Sequence, residues 1–232
     1  MNLNARPTGR LCKGKRKMKY TTVIFDFDGT LLYTVKDLAD ATNYAIARRG
    51  YKTHSVEAIT RMVGNGVNLL VARALPQGFD TPDYEAIMDD FRAYYAEHCF
   101  DNTRPYDGVP EMLRELRDRG VKMAIATNKY QAAAEELRQR FFADTVPVIV
   151  GDLEGRQRKP APDSVFEALR ALGAKAEMAV YVGDTEVDMQ TAKNAGLPCI
   201  SAAWGYRTRE ELVTLGAQVI ADSPAEIPEL IK

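Results

Sequence analysis

Thr22-Val23-Ile24-Phe25-Asp26-Phe27-Asp28-Gly29-Thr30-Leu31-Leu32 is the stretch whose reading decides the fold. Val23, Ile24 and Phe25 form an unbroken β-branched and aromatic run, which predicts a strand buried on both faces and ending at Asp26. In an open parallel α/β sheet, ligands bind beyond the carboxyl ends of the strands, where Asp26 and Asp28 stand two residues apart. Gly29 permits the tight turn that would aim both carboxylates at one point. Such a pair is costly unless a cation lies between them or one keeps its proton. The pair therefore points to a metal, and oxygen-only donors suit a hard cation such as Mg2+. Taken alone, Asp-Phe-Asp-Gly reads equally well as a strand followed by an ordinary turn. The rest of the chain decides between the two.

Outward from this stretch the pattern turns helical. Leu38, Ala41, Ala45 and Ile46 recur at helical spacing, and Gly50 closes the segment. Further helices are expected over Val56–Met62, Asn68–Ala74 and Tyr84–Cys99, with breaks at Gly64-Asn65-Gly66 and Pro76-Gln77-Gly78. No strand signal interrupts this span, which predicts a helical insertion hung on the core after the first strand. From Tyr106 onward a helix ending at Gly120 leads into alternating strands and helices. Strands are expected at Lys122–Ala126, Val146–Val150, Ala179–Val182, Pro198–Ala202 and Val219–Ala221. That alternation predicts a parallel sheet with helices on both faces.

Polar groups follow three more of the expected elements. Thr127-Asn128 offers a hydroxyl, an amide and main-chain N–H groups for an oxyanion, though Thr-Asn also serves as a common helix cap. Lys159 is held in Arg158-Lys159-Pro160-Ala161-Pro162, where the prolines stiffen the backbone. Gly183-Asp184-Thr185-Glu186-Val187-Asp188 places two carboxylates four apart across a loop and a first helical turn. Asp188 also fits a helix cap.

This ordered set resembles the haloacid dehalogenase superfamily, in particular its phosphatases with a helical cap inserted after the first motif. The resemblance covers Met18 to the C-terminus. Gly64-Asn65-Gly66, Ala126-Thr127-Asn128-Lys129 and Trp204-Gly205-Tyr206 make it most similar to the phosphoglycolate phosphatase group. It implies a Rossmann-like α/β core of parallel sheet at 18–33 and 105–232, an all-helical cap at 34–104, and a basic extension at 1–17. It also implies a Mg2+-dependent phosphomonoester hydrolase with Asp26 as nucleophile and Asp28 as general acid and base. Thr127, Asn128 and Lys159 would hold the phosphoryl oxygens. Asp26, Asp28 (through its main-chain carbonyl) and Asp184 would ligate the metal, with Asp188 in support. Where the superfamily commonly has Asp or Asn, this chain has Tyr33, at the hinge into the cap.

The substrate implied is a small phosphorylated metabolite, with 2-phosphoglycolate first. A phosphosugar mutase, a pyrophosphatase or nucleotide phosphatase, and a non-catalytic binding protein on the same fold are the alternatives. The Gly64–Gly66 loop and the helix after it are further expected to meet a substrate carboxylate, unless they form a plain turn. His54 and His98 read as cap surface or packing residues, and Trp204 and the cluster Phe91, Tyr94 and Tyr95 as core or cap packing.

Composition bounds the partners. The 232 residues are 46% hydrophobic and 27% charged, enough for one sizeable core with a smaller domain attached. Residues 1–17 carry six cations and no acid, so the net charge of −1 leaves −7 for the remainder once those six are taken away. An acidic body argues against nucleic acid as the main partner. The arm is read as disordered, upstream of a native start at Met18. No apolar run is long enough to span a membrane or serve as a secretory signal. Cys12, Cys99 and Cys199 show no paired or metal-binding spacing, which fits a reducing, cytoplasmic setting. A monomer or a homodimer is expected.

Overall fold

The computed structural model describes residues 19–232, and the basic arm and the expected start at Met18 lie outside them. The chain runs β1 (Thr22–Phe25), β2 (Leu32–Tyr33), α1 (Val35–Ala47), α2 (Val56–Met62), α3 (Val67–Arg73), α4 (Tyr84–His98) and β3 (Arg104–Pro105). It continues α5 (Val109–Asp118), β4 (Lys122–Tyr130), α6 (Gln131–Phe142), β5 (Val148–Asp152), α7 (Asp163–Leu172), β6 (Ala179–Gly183), α8 (Glu186–Asn194), β7 (Cys199–Ala202), α9 (Arg209–Thr214), β8 (Ile220–Ala221) and α10 (Ile227–Leu230).

Six strands form one parallel sheet in the order β5-β4-β1-β6-β7-β8. β1 lies between β4 and β6, and all four of its residues are buried, as its unbroken apolar run requires. Alternate residues serve opposite faces. Val23, Phe25, Met123, Ile125, Val180 and Val182 pack with α5 and α6, while Ile24, Ala124, Ala126 and Tyr181 pack with α7 and α8. From β1 the chain builds toward β4 and β5 on one side, then crosses to β6, β7 and β8 on the other. The strand order therefore reverses at β1, and a crevice opens at the carboxyl ends of β4, β1 and β6.

The helices α1 to α4 form the insertion expected after the first strand. They pack on one another around Leu38, Ile46, Ile59, Leu70, Ile87, Met88 and Phe91, a core separate from the two that flank the sheet. The insertion is joined to the sheet by a two-stranded antiparallel ribbon that the sequence reading did not foresee, with Leu32 opposite Pro105 and Tyr33 opposite Arg104. Tyr33 belongs to this hinge. Its ring meets Tyr106 edge-on at 5.9 Å, and the Arg104 guanidinium lies 4.5 Å from its centre. Beside the ribbon the buried carboxylate of Asp37 accepts hydrogen bonds from the Asn102 and Thr103 main-chain N–H groups, from Asn102 Nδ2 and from Thr103 Oγ1. No helix among the described residues is long and apolar enough to cross a membrane.

Candidate active site

Each polar motif reaches the crevice because a strand ends there. After β1 the backbone curls back, with Gly29 N–H donating to Leu32 O at 2.8 Å and Leu31 N–H to Phe27 O at 3.0 Å. Gly29 sits at φ +91°, and any Cβ there would run into the Asp184 carboxylate. In β4 the pairing register with β5 shifts between Ala126 and Tyr130, a bulge that lifts Thr127, Asn128 and Lys129 out of the regular ladder.

The structure brings Asp26, Asp184, Asp188 and Lys159 together. Carboxylate oxygens of the three acids lie within 4.8 Å of one another, and all three residues are buried. Lys159 Nζ donates to Asp26 Oδ1 at 2.6 Å and to Asp188 Oδ1 at 2.8 Å, with the Tyr181 hydroxyl 3.1 Å away. Asp188 is fully engaged, because its Oδ2 also accepts from Thr185 N–H and Thr185 Oγ1 as part of a capping box on α8. Asp188 thus caps α8 and at the same time stands in the acidic cluster beside Lys159. Asp184 accepts from Thr30 Oγ1 at 2.7 Å and from the Tyr206 main-chain N–H at 2.8 Å. Asp26 Oδ2 has no protein partner among the described residues.

Electrostatics follow from this wiring. Burial, then the nearby charge of Asp188, pushes the Asp26 carboxyl well above the usual carboxylate range. The same two causes push Asp184 up to about 7. Burial also opposes the charge on Asp188, but Lys159 and the Thr185 hydrogen bonds outweigh it and hold that carboxyl below its ordinary value. Burial likewise opposes the charge on Lys159, and Asp188 and Asp26 overcome it, so the ammonium is held above its ordinary range. One lysine thus serves three buried carboxylates. Three carboxylates against one ammonium form an oxygen donor set that suits a hard divalent metal.

Asp28 points elsewhere: its carboxylate meets Lys129 Nζ, at 3.1 Å to Oδ1, outside the three-acid cluster. Thr127 is buried, its Oγ1 accepting from Lys129 N–H at 3.1 Å. The Asn128 amide clasps the Lys159 main chain, accepting from its N–H at 2.8 Å and donating to its carbonyl at 3.1 Å. Nδ2 also makes a long 3.4 Å contact with the Gly64 carbonyl, which ties the cap loop to the core. Asn65 Oδ1 of that loop is taken by Arg73, and Gly66 is the first flanking residue of the seven-residue α3.

Between cap and core lies a cavity of about 490 Å³ lined by Asp26, Asp28, Thr127, Asn128, Lys129 and Lys159 on the core side. Leu38, Val63, Val67, Leu70, Phe91 and Tyr95 give it a mainly apolar cap wall. Phe91 and Tyr95, read from sequence as packing residues, thus also face the cavity, and Tyr95 OH accepts from Lys129 Nζ at 2.9 Å. The sequence reading assigned no role to Lys129. The available signal was its place beside Thr127-Asn128 at a strand end.

The haloacid dehalogenase-like hydrolase family model matches residues 23–202, a span containing all the acidic and cationic side chains of this constellation. The chain belongs to that family. It is 36% identical over 213 residues to the phosphoglycolate phosphatase of Rhodospirillum rubrum, covering 88% of each chain. With the N-acetylmuramic acid 6-phosphate phosphatase of Pseudomonas aeruginosa it shares 30% identity over 218 residues, 93% of this chain and 96% of that one. Among solved structures, a candidate phosphoglycolate phosphatase from Lactobacillus delbrueckii subsp. bulgaricus superposes with a TM-score of 0.89 at 34% identity, over 92% of this chain and 99% of that one. Within the haloacid dehalogenase-like hydrolases this chain is therefore a phosphatase of the phosphoglycolate phosphatase type, with a parallel α/β core and a helical cap.

Proposed function

We propose that the protein is a Mg2+-dependent phosphomonoester hydrolase that works through an aspartyl-phosphate on Asp26 and acts on 2-phosphoglycolate. The observation that carries this reading is the state of Asp26. One oxygen is fixed by Lys159 at 2.6 Å, while the other has no protein partner among the described residues, on a side chain that lines the cavity. A carboxylate so held is aligned for attack on phosphorus, which divides one hard displacement into two easier ones.

In this reading the catalytic core is 18–33 with 105–232, and 34–104 is the cap. Asp26 and Asp184, with the Asp28 main-chain carbonyl, would hold the metal, and Asp188 would orient Lys159. When bound, Mg2+ supplies positive charge to the phosphoryl oxygens and to Asp26. Asp26 attacks phosphorus and the ester bond breaks. Asp28 delivers a proton to the departing oxygen, then takes one from the water that opens the aspartyl-phosphate. Thr127 and Lys159 hold phosphoryl oxygens, and Asn128 acts through its two-point grip on the Lys159 backbone. The cap wall keeps bulk water from the intermediate.

A second reading concerns the leaving group. A cavity of about 490 Å³ falls in the range typical of ligands much larger than a two-carbon acid. Together with the relative from Pseudomonas aeruginosa, this favours a bulkier phosphorylated acid as the alternative substrate. Phosphate release from a panel of both kinds, with and without Mg2+, tests the two. Release from 2-phosphoglycolate that needs Mg2+ and disappears in Asp26→Asn is the expected result. Release that ignores Mg2+ or survives the substitution would contradict the mechanism.

A further inference from the structure

The two buried lysines of the cavity divide it. Lys159 faces two carboxylates, Asp26 and Asp188, on the phosphoryl side. Lys129 faces one, Asp28, on the side where the reading above places the departing oxygen. Lys129 is therefore the less neutralised of the pair. Its side chain is only 6% exposed, and its three N–H donors meet Asp28 Oδ1 at 3.1 Å, Asp28 Oδ2 at a long 3.4 Å and the Tyr95 hydroxyl at 2.9 Å. Tyr95 belongs to cap helix α4, is stacked on Phe91 at 5.6 Å and accepts from Lys129, while its own O–H has no acceptor among the described residues. The phenol O–H is thus unused beside the leaving-group position, and the long contact to Asp28 Oδ2 is the weakest of the three that the ammonium makes. The third cation of the cavity, Arg92, lies toward solvent and pairs with Asp89.

We infer that Lys129 of the core and the Tyr95 hydroxyl of the cap together form the receptor for the carboxylate that 2-phosphoglycolate, the phosphate monoester of an α-hydroxy acid, carries on its leaving group. In such an ester the carboxyl carbon is two bonds from the ester oxygen. An acid that reaches this oxygen from Asp28 has Lys129 as its immediate neighbour. A charge-assisted hydrogen bond in an apolar enclosure discriminates strongly against a substrate that leaves the donors unpaired. Because half of the receptor arrives on the cap, the carboxylate is read only when cap and core meet. Lys129 is here a specificity residue, and this inference rests on the phosphatase reading above.

The test compares kcat/KM for 2-phosphoglycolate with that for 2-hydroxyethyl phosphate, which replaces the carboxylate by an uncharged hydroxymethyl group, and with 4-nitrophenyl phosphate as a general reporter. The wild type should prefer 2-phosphoglycolate over the neutral ester. Lys129→Met should lower that preference at least tenfold, Tyr95→Phe by about threefold, and Lys129→Arg, which keeps the charge, should retain more of it than Met. A ratio unchanged within twofold in Lys129→Met, with both esters slowed together, would overturn the inference and leave Lys129 as a positioning residue for Asp28. If Lys129→Met fails to fold, an unchanged ratio in Tyr95→Phe, or a Lys129→Arg ratio reduced to no preference, would overturn it equally. A wild type that hydrolyses 4-nitrophenyl phosphate without preferring 2-phosphoglycolate refutes the substrate class alone. Failure on all three esters refutes the phosphatase reading itself.

Discussion

Asp28→Asn separates proton delivery from the rest of the chemistry, since the amide keeps the shape and cannot donate an acidic proton. Its rate loss should be large for alkyl phosphates, on the order of the 100-fold or more typical of a general acid, and much smaller for an aryl phosphate whose leaving group needs little protonation. Equal losses across a series of leaving groups would remove Asp28 from the acid role. At the same scale, Asp26, Asp28, Thr127, Asn128, Lys159, Asp184 and Asp188 were all legible in the sequence as candidates, because each follows a recognisable apolar strand or sits in a constrained loop. Lys129 and Tyr95 were not. Their partnership joins a strand bulge to a cap helix, and a contact between distant elements leaves no local pattern to read.

Strand ends carry the site, so element-level substitutions should act on it without touching its side chains. Gly205, after β7, is packed so closely that an added Cβ would meet the Gly29 carbonyl and the Asp184 side chain. Gly205→Ala should therefore displace Asp184, and kcat and Mg2+ affinity should fall together. Normal Mg2+ affinity in a folded Gly205→Ala would contradict this. Asp37 tests the hinge: its buried carboxylate holds both main-chain N–H groups at Asn102 and Thr103. Asp37→Ala leaves those donors unpaired and should cost about 2–4 kcal/mol, read as a lowered denaturation midpoint. A loss under about 0.5 kcal/mol would mean that the hinge does not depend on it. Most helices and sheet strands follow their sequence periodicity to within a few residues. The ribbon of β2 and β3 escaped because a two-residue strand has no periodicity, and the bulge in β4 because its irregularity is imposed by pairing with β5.

Across the whole molecule, the cluster of buried acids couples stability to pH and metal. Asp184, held at about 7 against an ordinary value of 3.8, binds a proton more tightly in the folded chain than in the unfolded one. Raised acids of this kind weaken the fold as pH climbs between those two values, so that part of the metal-free protein's stability should be greater at pH 5.5 than at pH 8. Mg2+ removes the cause by compensating the charge, and so should raise Tm more at pH 8 than at pH 5.5. An equal rise at both would argue that the acids are not where the metal binds. The fold class, the place of the insertion and the family were legible because strand ends and polar motifs coincide along the chain. The cavity was not, because its volume and apolar cap wall exist only where cap and core meet. The central claim is the covalent step at Asp26, and the stereochemical course at phosphorus tests it most directly. With a chiral phosphorothioate ester in isotopically labelled water, two successive in-line displacements predict net retention, whereas net inversion would mean that water attacks the substrate directly and would contradict the account.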